Sequence, residues 1–243
     1  MRILIIRHGD PNYELDCLTE RGRKEAAALS ERLANEKIDY FYCSPLNRAK
    51  ETADYTLKKF DRKAQICDWM KEFPAQINRP DRPERKSICW DWLPQDYADD
   101  DQLYDRNDWF NQPVYKAGEV SNEYQYVCNE LDELLASHGY KRKGHLYEPV
   151  KANDDTIALF CHFGLECVLL SHLLNISPVP LWHGFCAAPT SVTTLYSEER
   201  RKGIVAFRIA GFGDTGHLYA KGISPSDSAR FCEMFDNEKE RHD

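Results

Sequence analysis

The sequence predicts an α/β protein with a mainly parallel sheet, helices on both faces and an antiparallel edge. Three short runs rich in β-formers, Ile3–Ile6, Ile38–Cys43 and Ile157–Cys161, are apolar almost without interruption. Unbroken apolar runs suit strands covered on both faces. Each is followed by a stretch with helical spacing, and strand-then-helix repeated along a chain is the signature of a parallel sheet. The composition is that of an ordinary globular protein, with 42% hydrophobic and 30% charged residues in 243 positions.

After the first strand, Thr19 reads as an N-cap, with Gly22, Ala26, Leu29 and Leu33 on one helical stripe. After the second, Ser44-Pro45 reads as a cap with proline at the first helical position, and Ala49, Ala53, Thr56 and Phe60 form the buried face. The third leads into Leu165–Leu174, apolar nearly all round and therefore a buried helix. Glu119–His138 carries a stripe of Tyr124, Val127, Leu131 and Leu134, with Gly139 as its stop. Near the C-terminus, Ser191–Ser197 and Ile204–Ile209 flank a polar turn and read as a hairpin at a sheet edge. The charged tail 237–243 reads as frayed.

Residues 73–118 are different. They hold five prolines, Trp90, Trp92, Trp109 and the run Asp99-Asp100-Asp101, with little periodicity. A stretch this long without a repeating pattern is usually functional or disordered, and its aromatic content favours function and predicts a cap packed over a single domain spanning 1–243. Trp90, Trp92 and Trp109 read first as a small core under that cap and second as a substrate platform.

The formal charge of −8 argues against nucleic-acid or anionic-membrane partners, so any anion must be held by local Arg and His. The nine cysteines include no Cys-x-x-Cys pair and several lie in apolar runs, which reads as reduced thiols in a cytoplasmic protein without a metal site. No run is long enough to span a bilayer, and the short N-terminal apolar run is not a signal h-region.

In an open α/β sheet, ligands bind beyond the carboxyl ends of the strands. That rule selects Arg7-His8-Gly9, Ser44-Pro45-Leu46-Asn47-Arg48 and His162-Phe163-Gly164. Two arginines, two histidines and two helix N-termini would meet there, which makes a phosphate pocket with an imidazole inside it. Cations around His8 disfavour its protonated form and leave a ring nitrogen free as a nucleophile. His162, Arg7 and Arg48 suit stabilisation of a phosphoryl group in transfer. Glu72, at the border of the cap, is the best-placed proton donor to a leaving oxygen; Asp68, Glu84 and Asp91 are its rivals. His183 is read as lining the pocket or as structural, His217 as structural, His172 as a core residue, and His138 as a solvated helix-end residue.

These segments, together with Leu18-Thr19-Glu20-Arg21-Gly22, Asn47-Arg48-Ala49-Lys50-Glu51-Thr52-Ala53 and Asp214-Thr215-Gly216-His217-Leu218, resemble the histidine phosphatase (phosphoglycerate mutase-like) superfamily. The resemblance covers nearly the whole chain, and it implies a three-layer α/β fold and a phosphohistidine intermediate. By carry-over His8 is the nucleophile, Glu72 the proton donor, and Arg7, Arg48 and His162 hold the phosphate. Where many members carry Asn seven residues after the first arginine, this chain has Glu14, and the contact either passes to Asn12 or is missing; Phe163 joins as a further substrate contact. No cofactor is implied, and the expected partner is a small phosphorylated metabolite. Phosphomonoester hydrolysis without a metal is the first reading. A mutase, with Arg79, Arg82, Arg85 and Lys86 as extra cations, is the second. A non-catalytic phospho-ligand module is the alternative of another class. The oligomeric state is left open.

Overall fold

A computed structural model describes residues 1–242, so Asp243, the last residue of the expected frayed tail, lies outside the described residues. The chain opens with β1 (Arg2–Arg7), the short pair β2 (Pro11–Asn12) and β3 (Cys17–Leu18), and α1 (Glu20–Leu33). Next come β4 (Tyr40–Cys43), α2 (Asn47–Phe60) and β5 (Gln65–Ile66). A small hairpin, β6 (Gln76–Asn78) and β7 (Lys86–Ile88), is followed by α3 (Pro113–Ala117) and α4 (Val120–Ser137). Then follow β8 (Tyr140–Lys143), β9 (Leu146–Pro149), β10 (Thr156–Cys161), α5 (Phe163–Leu174) and α6 (Val179–Gly184). The long strands β11 (Val192–Arg201) and β12 (Ile204–Asp214) and the short α7 (Gly216–Tyr219) close the ordered elements of the α/β body.

Eight strands form one mixed sheet in the order β5-β4-β10-β1-β11-β12-β9-β8. The three predicted strands, with β5, make the parallel block, and its centre pairs Arg7 with Cys161, so the two chemically loaded ends finish side by side. β11 pairs antiparallel to β1 and carries β12 beyond it. The hairpin is not terminal as expected, because β9 and β8 extend the sheet past β12. Their run Tyr140–Pro149 is mostly exposed and carries Lys141, Arg142, Lys143 and Glu148, so apolar periodicity could not reveal it.

Alternate residues of β1 face two layers. Ile3 and Ile5 pack into one core with α4 and α5, and Leu4 and Ile6 into another with α1 and α2. This is the three-layer arrangement, and the period-2 alternation of side chains dictates it. Thr19 caps α1 as expected, its hydroxyl accepting the Gly22 amide at 3.0 Å. Gly9 lies so close to α1 that a Cβ on it would come within 2.8 Å of the Gly22 carbonyl, which explains the glycine after His8.

The second helix departs from expectation. It starts at Asn47, its N-cap position is Leu46, and Ser44 is therefore no cap. Instead Asp16, held at φ 46°, reaches across and accepts the Asn47 amide at 2.8 Å.

Residues 73–118 form the β6–β7 hairpin, three single-turn 3₁₀ segments and α3. Trp92 and Trp109 are buried with Tyr97 and Tyr115, edge-on or tilted at ring separations of 5.2–5.6 Å, and Trp109 meets Trp182 of α6 at 5.8 Å. These rings are a small aromatic core; Trp90 alone remains half-buried. Lack of periodicity in the sequence reflects single turns packed by rings rather than by stripes. All nine cysteines are free. No described helix is long and apolar enough to cross a membrane.

Candidate active site

The carboxyl ends of β1, β4 and β10 bring Arg7, His8, Arg48 and His162 together, all with side chains almost wholly buried. The imidazoles of His8 and His162 lie with ring centroids 5.0 Å apart. His8 Nδ1–H donates to its neighbour's carbonyl, Gly9 O, at 2.7 Å. A carbonyl can only accept, so the proton is on Nδ1 and Nε2 keeps its lone pair. Burial, and then the guanidinium groups of Arg7 and Arg48, hold the His8 pKa well below its ordinary value. The ring is therefore a neutral base at neutral pH.

His162 is also held well below the ordinary histidine value, by burial first and by His8, Arg48 and Arg7 after it. Its Nε2 lies 2.7 Å from Ser44 Oγ. That oxygen also accepts the Leu46 amide at 3.2 Å. His162 Nδ1 is buried without a partner. Ser44, expected as a helix cap, is thus a hydrogen-bond partner of His162.

The arginines are held differently. Arg7 donates through Nη1 to the Ala187 carbonyl, and its Nε is buried without a partner. Arg48 pairs with Asp16 at 2.6 Å, its Nε is likewise orphaned, and its guanidinium lies 5.4 Å from the Tyr13 ring centroid. Tyr13 stands edge-on to His8 at 6.4 Å. Asn12 is not among these contacts: its side-chain oxygen accepts the Leu15 amide at 3.1 Å and closes the turn that carries Tyr13 and Asp16. A motif read for its asparagine thus missed the turn's other two side chains, and only the charge of Asp16 hinted at a partner for Arg48.

Glu72 meets the site from the base of the 73–118 segment. Its Oε1 accepts the amides of Phe73 at 2.9 Å and of Leu165, in the first turn of α5, at 3.1 Å. Burial raises its pKa above the ordinary carboxylate range, against the opposing pull of these amides and of Arg7 and Arg48. Among its rivals, Asp91 lies near Arg79, with 3.9 Å between Oδ2 and Nη1. Phe163 contacts the Trp90 ring edge at 6.4 Å. Gly164 makes this approach possible, because a Cβ there would stand 2.6 Å from Trp90 Nε1 and 2.8 Å from Glu72 Oε1. Gly164→Ala is therefore expected to displace Glu72 and lower kcat on the order of 10²-fold, with phosphate affinity nearly unchanged, in steady-state assays with phosphate as a competitive inhibitor.

The remaining histidines are structural in their contacts. His183 is bonded by Tyr97 and the Trp92 amide and pushed down to about 3 by burial; His217 contacts Thr190 and is pushed down to about 4. His172 pairs with Asp132 at 2.9 Å and is only half-buried. His138, expected in solvent, is buried against Tyr42, whose hydroxyl it meets at 2.8 Å.

A neutral imidazole nitrogen beside two arginines with unsatisfied N–H groups is chemistry for a phosphoryl group. Residues 3–107 match the model of the histidine phosphatase superfamily (branch 1). Over those residues, fewer than half of its length, the chain is similar to that superfamily. It is 27% identical over 230 residues to the serine/threonine-protein phosphatase Pgam5, mitochondrial, of Caenorhabditis briggsae, covering 91% of this chain and 66% of that protein, so it spans just under two thirds of that relative's length. Among solved structures, phosphoserine phosphatase from Entamoeba histolytica, bound to phosphoserine, superposes with a TM-score of 0.60 at 20% identity over 89% of this chain and 98% of that one. The mycobacterial glucosyl-3-phosphoglycerate phosphatase gives 0.56 at 19% identity, covering 87% and 98%. The α-ribazole phosphatase of Shigella flexneri gives 0.53 at 18%, covering 88% and 97%. At these identities the likeness of the chain to solved structures is one of fold. Among the described residues no group of His, Cys, Asp and Glu has the arrangement of a metal site.

Proposed function

We propose that this chain is a phosphomonoester hydrolase that forms a phosphohistidine on His8. The observation that carries the reading is the fixed Nδ1–H tautomer of His8, which leaves Nε2 with a lone pair beside Arg7 and Arg48. In the first half-reaction His8 Nε2 bonds to phosphorus and the ester P–O bond breaks. Glu72, kept protonated to higher pH than an ordinary carboxyl, gives its proton to the leaving oxygen. In the second, water attacks phosphorus, Glu72 takes the water's proton, and the N–P bond breaks to release inorganic phosphate. The orphaned N–H groups of Arg7 and Arg48, with the unpartnered Nδ1 of His162, stand ready for the phosphoryl oxygens.

Residues 73–118 act as a cap over this site in the proposal, since Glu72 begins that segment and Trp90 reaches Phe163 and Gly164. A mutase would need further cations above the pocket. Arg79 is buried and paired with Asp81 at 2.7 Å, and Arg82 meets the same carboxylate at 3.3 Å, so both serve the cap's own structure and favour hydrolysis. The relatives named above act on phosphoserine and glucosyl-3-phosphoglycerate, and a small phosphorylated metabolite is the class we propose here. Nine free thiols fit a reducing compartment such as the cytoplasm.

The test is release of inorganic phosphate from an aryl phosphate in the presence of chelator, with an alkaline denaturing quench to trap label. Turnover with an acid-labile, alkali-stable phosphoryl label on the wild-type chain is the expected result. No release and no label would leave the non-catalytic binding module standing; interconversion of phosphoglycerates primed by a bisphosphate would favour the mutase.

A further inference from the structure

One buried acid near the pocket is used by nothing above. Glu166 projects from the first turn of α5, one turn beyond His162, and is 1% exposed. Its Oε1 has no hydrogen-bond partner, and the Thr193 side chain bonds the carboxyl. The sheet register explains what it faces. In β1, Arg7 points to the same side as Ile3 and Ile5, which pack in the core beneath α5. Thr193 of β11 stands opposite Ile5, and Cys161 of β10 stands opposite Arg7. Glu166 thus lies over the same patch of sheet from which the Arg7 guanidinium rises, and Arg7 Nε is itself orphaned. Two buried groups of opposite sign share one side of the sheet, each with an atom that lacks a hydrogen-bond partner.

We infer that Glu166 is a positioning residue that shares Arg7 with the bound anion, so that binding of a phosphoryl group is coupled to uptake of one proton by Glu166. This rests on the phosphate-pocket reading above. With the pocket empty, an ionised Glu166 balances Arg7. When a dianion takes the guanidinium, an ionised carboxylate behind it is repelled and loses its counter-charge, and a proton from solvent neutralises it. Every titratable group around it is accounted for. Arg7 stays charged. Cys161 and Cys167 are held well above the ordinary thiol range by burial, and so stay neutral. Glu72, the other acid, acts on Glu166 by repulsion. Burial brings Glu166 up to about 7, so its titration falls where the two pocket histidines are already neutral. The sign follows: at lower pH Glu166 is uncharged and the anion binds best, and affinity falls as pH rises through that value.

The experiment is calorimetric titration of the whole chain with sulfate, whose charge does not change between about pH 6 and about pH 8, unlike that of phosphate. Titrations in buffers of different ionisation enthalpy count the protons taken up. The wild type is expected to take up close to one proton per sulfate at the upper end of that range, with affinity falling toward tenfold per pH unit. Glu166→Gln is expected to bind with no proton uptake and a flat profile. Thr193→Val, which removes the hydrogen bond that favours the ionised acid, is expected to move the fall to higher pH, and it keeps the proposal testable if the glutamine variant does not fold. A wild-type profile that is flat would overturn the inference. So would a slope that survives in Glu166→Gln, which would assign the proton to Glu72 instead. If neither sulfate nor tungstate binds at any pH, the pocket reading fails first and this inference with it.

Discussion

His8→Ala is expected to lower kcat for an aryl phosphate on the order of 10⁵-fold, because removal of a nucleophile closes the covalent route altogether rather than slowing one step of it. The substitution leaves Arg7, Arg48 and His162 in place, each held by a partner other than the His8 ring: the Ala187 carbonyl, Asp16 and Ser44. Binding of sulfate or of the substrate is therefore expected within a few-fold of wild type, and the acid-labile label is expected to vanish. The fold should tolerate the change, since the imidazole's one hydrogen bond is to a backbone carbonyl next to it in sequence. Turnover in His8→Ala within tenfold of wild type, measured on protein with an unchanged thermal melt, would remove His8 from the reaction. A loss of anion affinity equal to the loss of kcat would make it a binding residue only.

The parallel half of the molecule and the four cationic or imidazole side chains were legible because both depend on short-range grammar. Apolar runs mark strands covered on both faces, and side chains just past their carboxyl ends must share one rim of the sheet. What stayed hidden depends on contacts between distant residues. The charged, exposed strands β8 and β9 exist because they pair with each other and with β12, not because their residues repeat an apolar period. Asp16 is a turn residue in sequence and a counter-ion to Arg48 only after β2 and β3 fold back toward α2. Ser44 looked like a cap because Ser-Pro is a common helix start, yet its hydroxyl is taken up by His162, 118 positions away. Glu166 sits in a run otherwise so apolar that nothing but its charge set it apart, and only the register of β1, β10 and β11 shows which cation it faces. Residues 73–118 resisted reading for a further reason: aromatic rings at irregular spacing build a core without a period.

The role of Glu72 is open to a sharper test than loss of activity. Glu72→Gln keeps the Oε1 acceptor that receives the Phe73 and Leu165 amides, so the local backbone geometry should survive. It removes the proton. For an alkyl phosphate, whose leaving alkoxide is strongly basic, kcat is expected to fall on the order of 10³-fold; for an aryl phosphate with an acidic phenol, less than about tenfold, because that oxygen leaves without help. The pH profile gives an independent reading. Burial keeps the wild-type acid protonated beyond the ordinary carboxylate range, so alkyl phosphate turnover should decline as pH rises through that raised value. In Glu72→Gln that decline should be absent, leaving whatever slope Glu166 contributes through binding, which acts on KM for both substrates alike. The two buried acids therefore separate by parameter: Glu72 in kcat and by leaving group, Glu166 in anion affinity regardless of leaving group. Equal slowing of alkyl and aryl phosphates by Glu72→Gln would mean that its carboxyl orders the start of α5 and transfers no proton, and Asp91, across the cap near Arg79, would be the next acid to substitute.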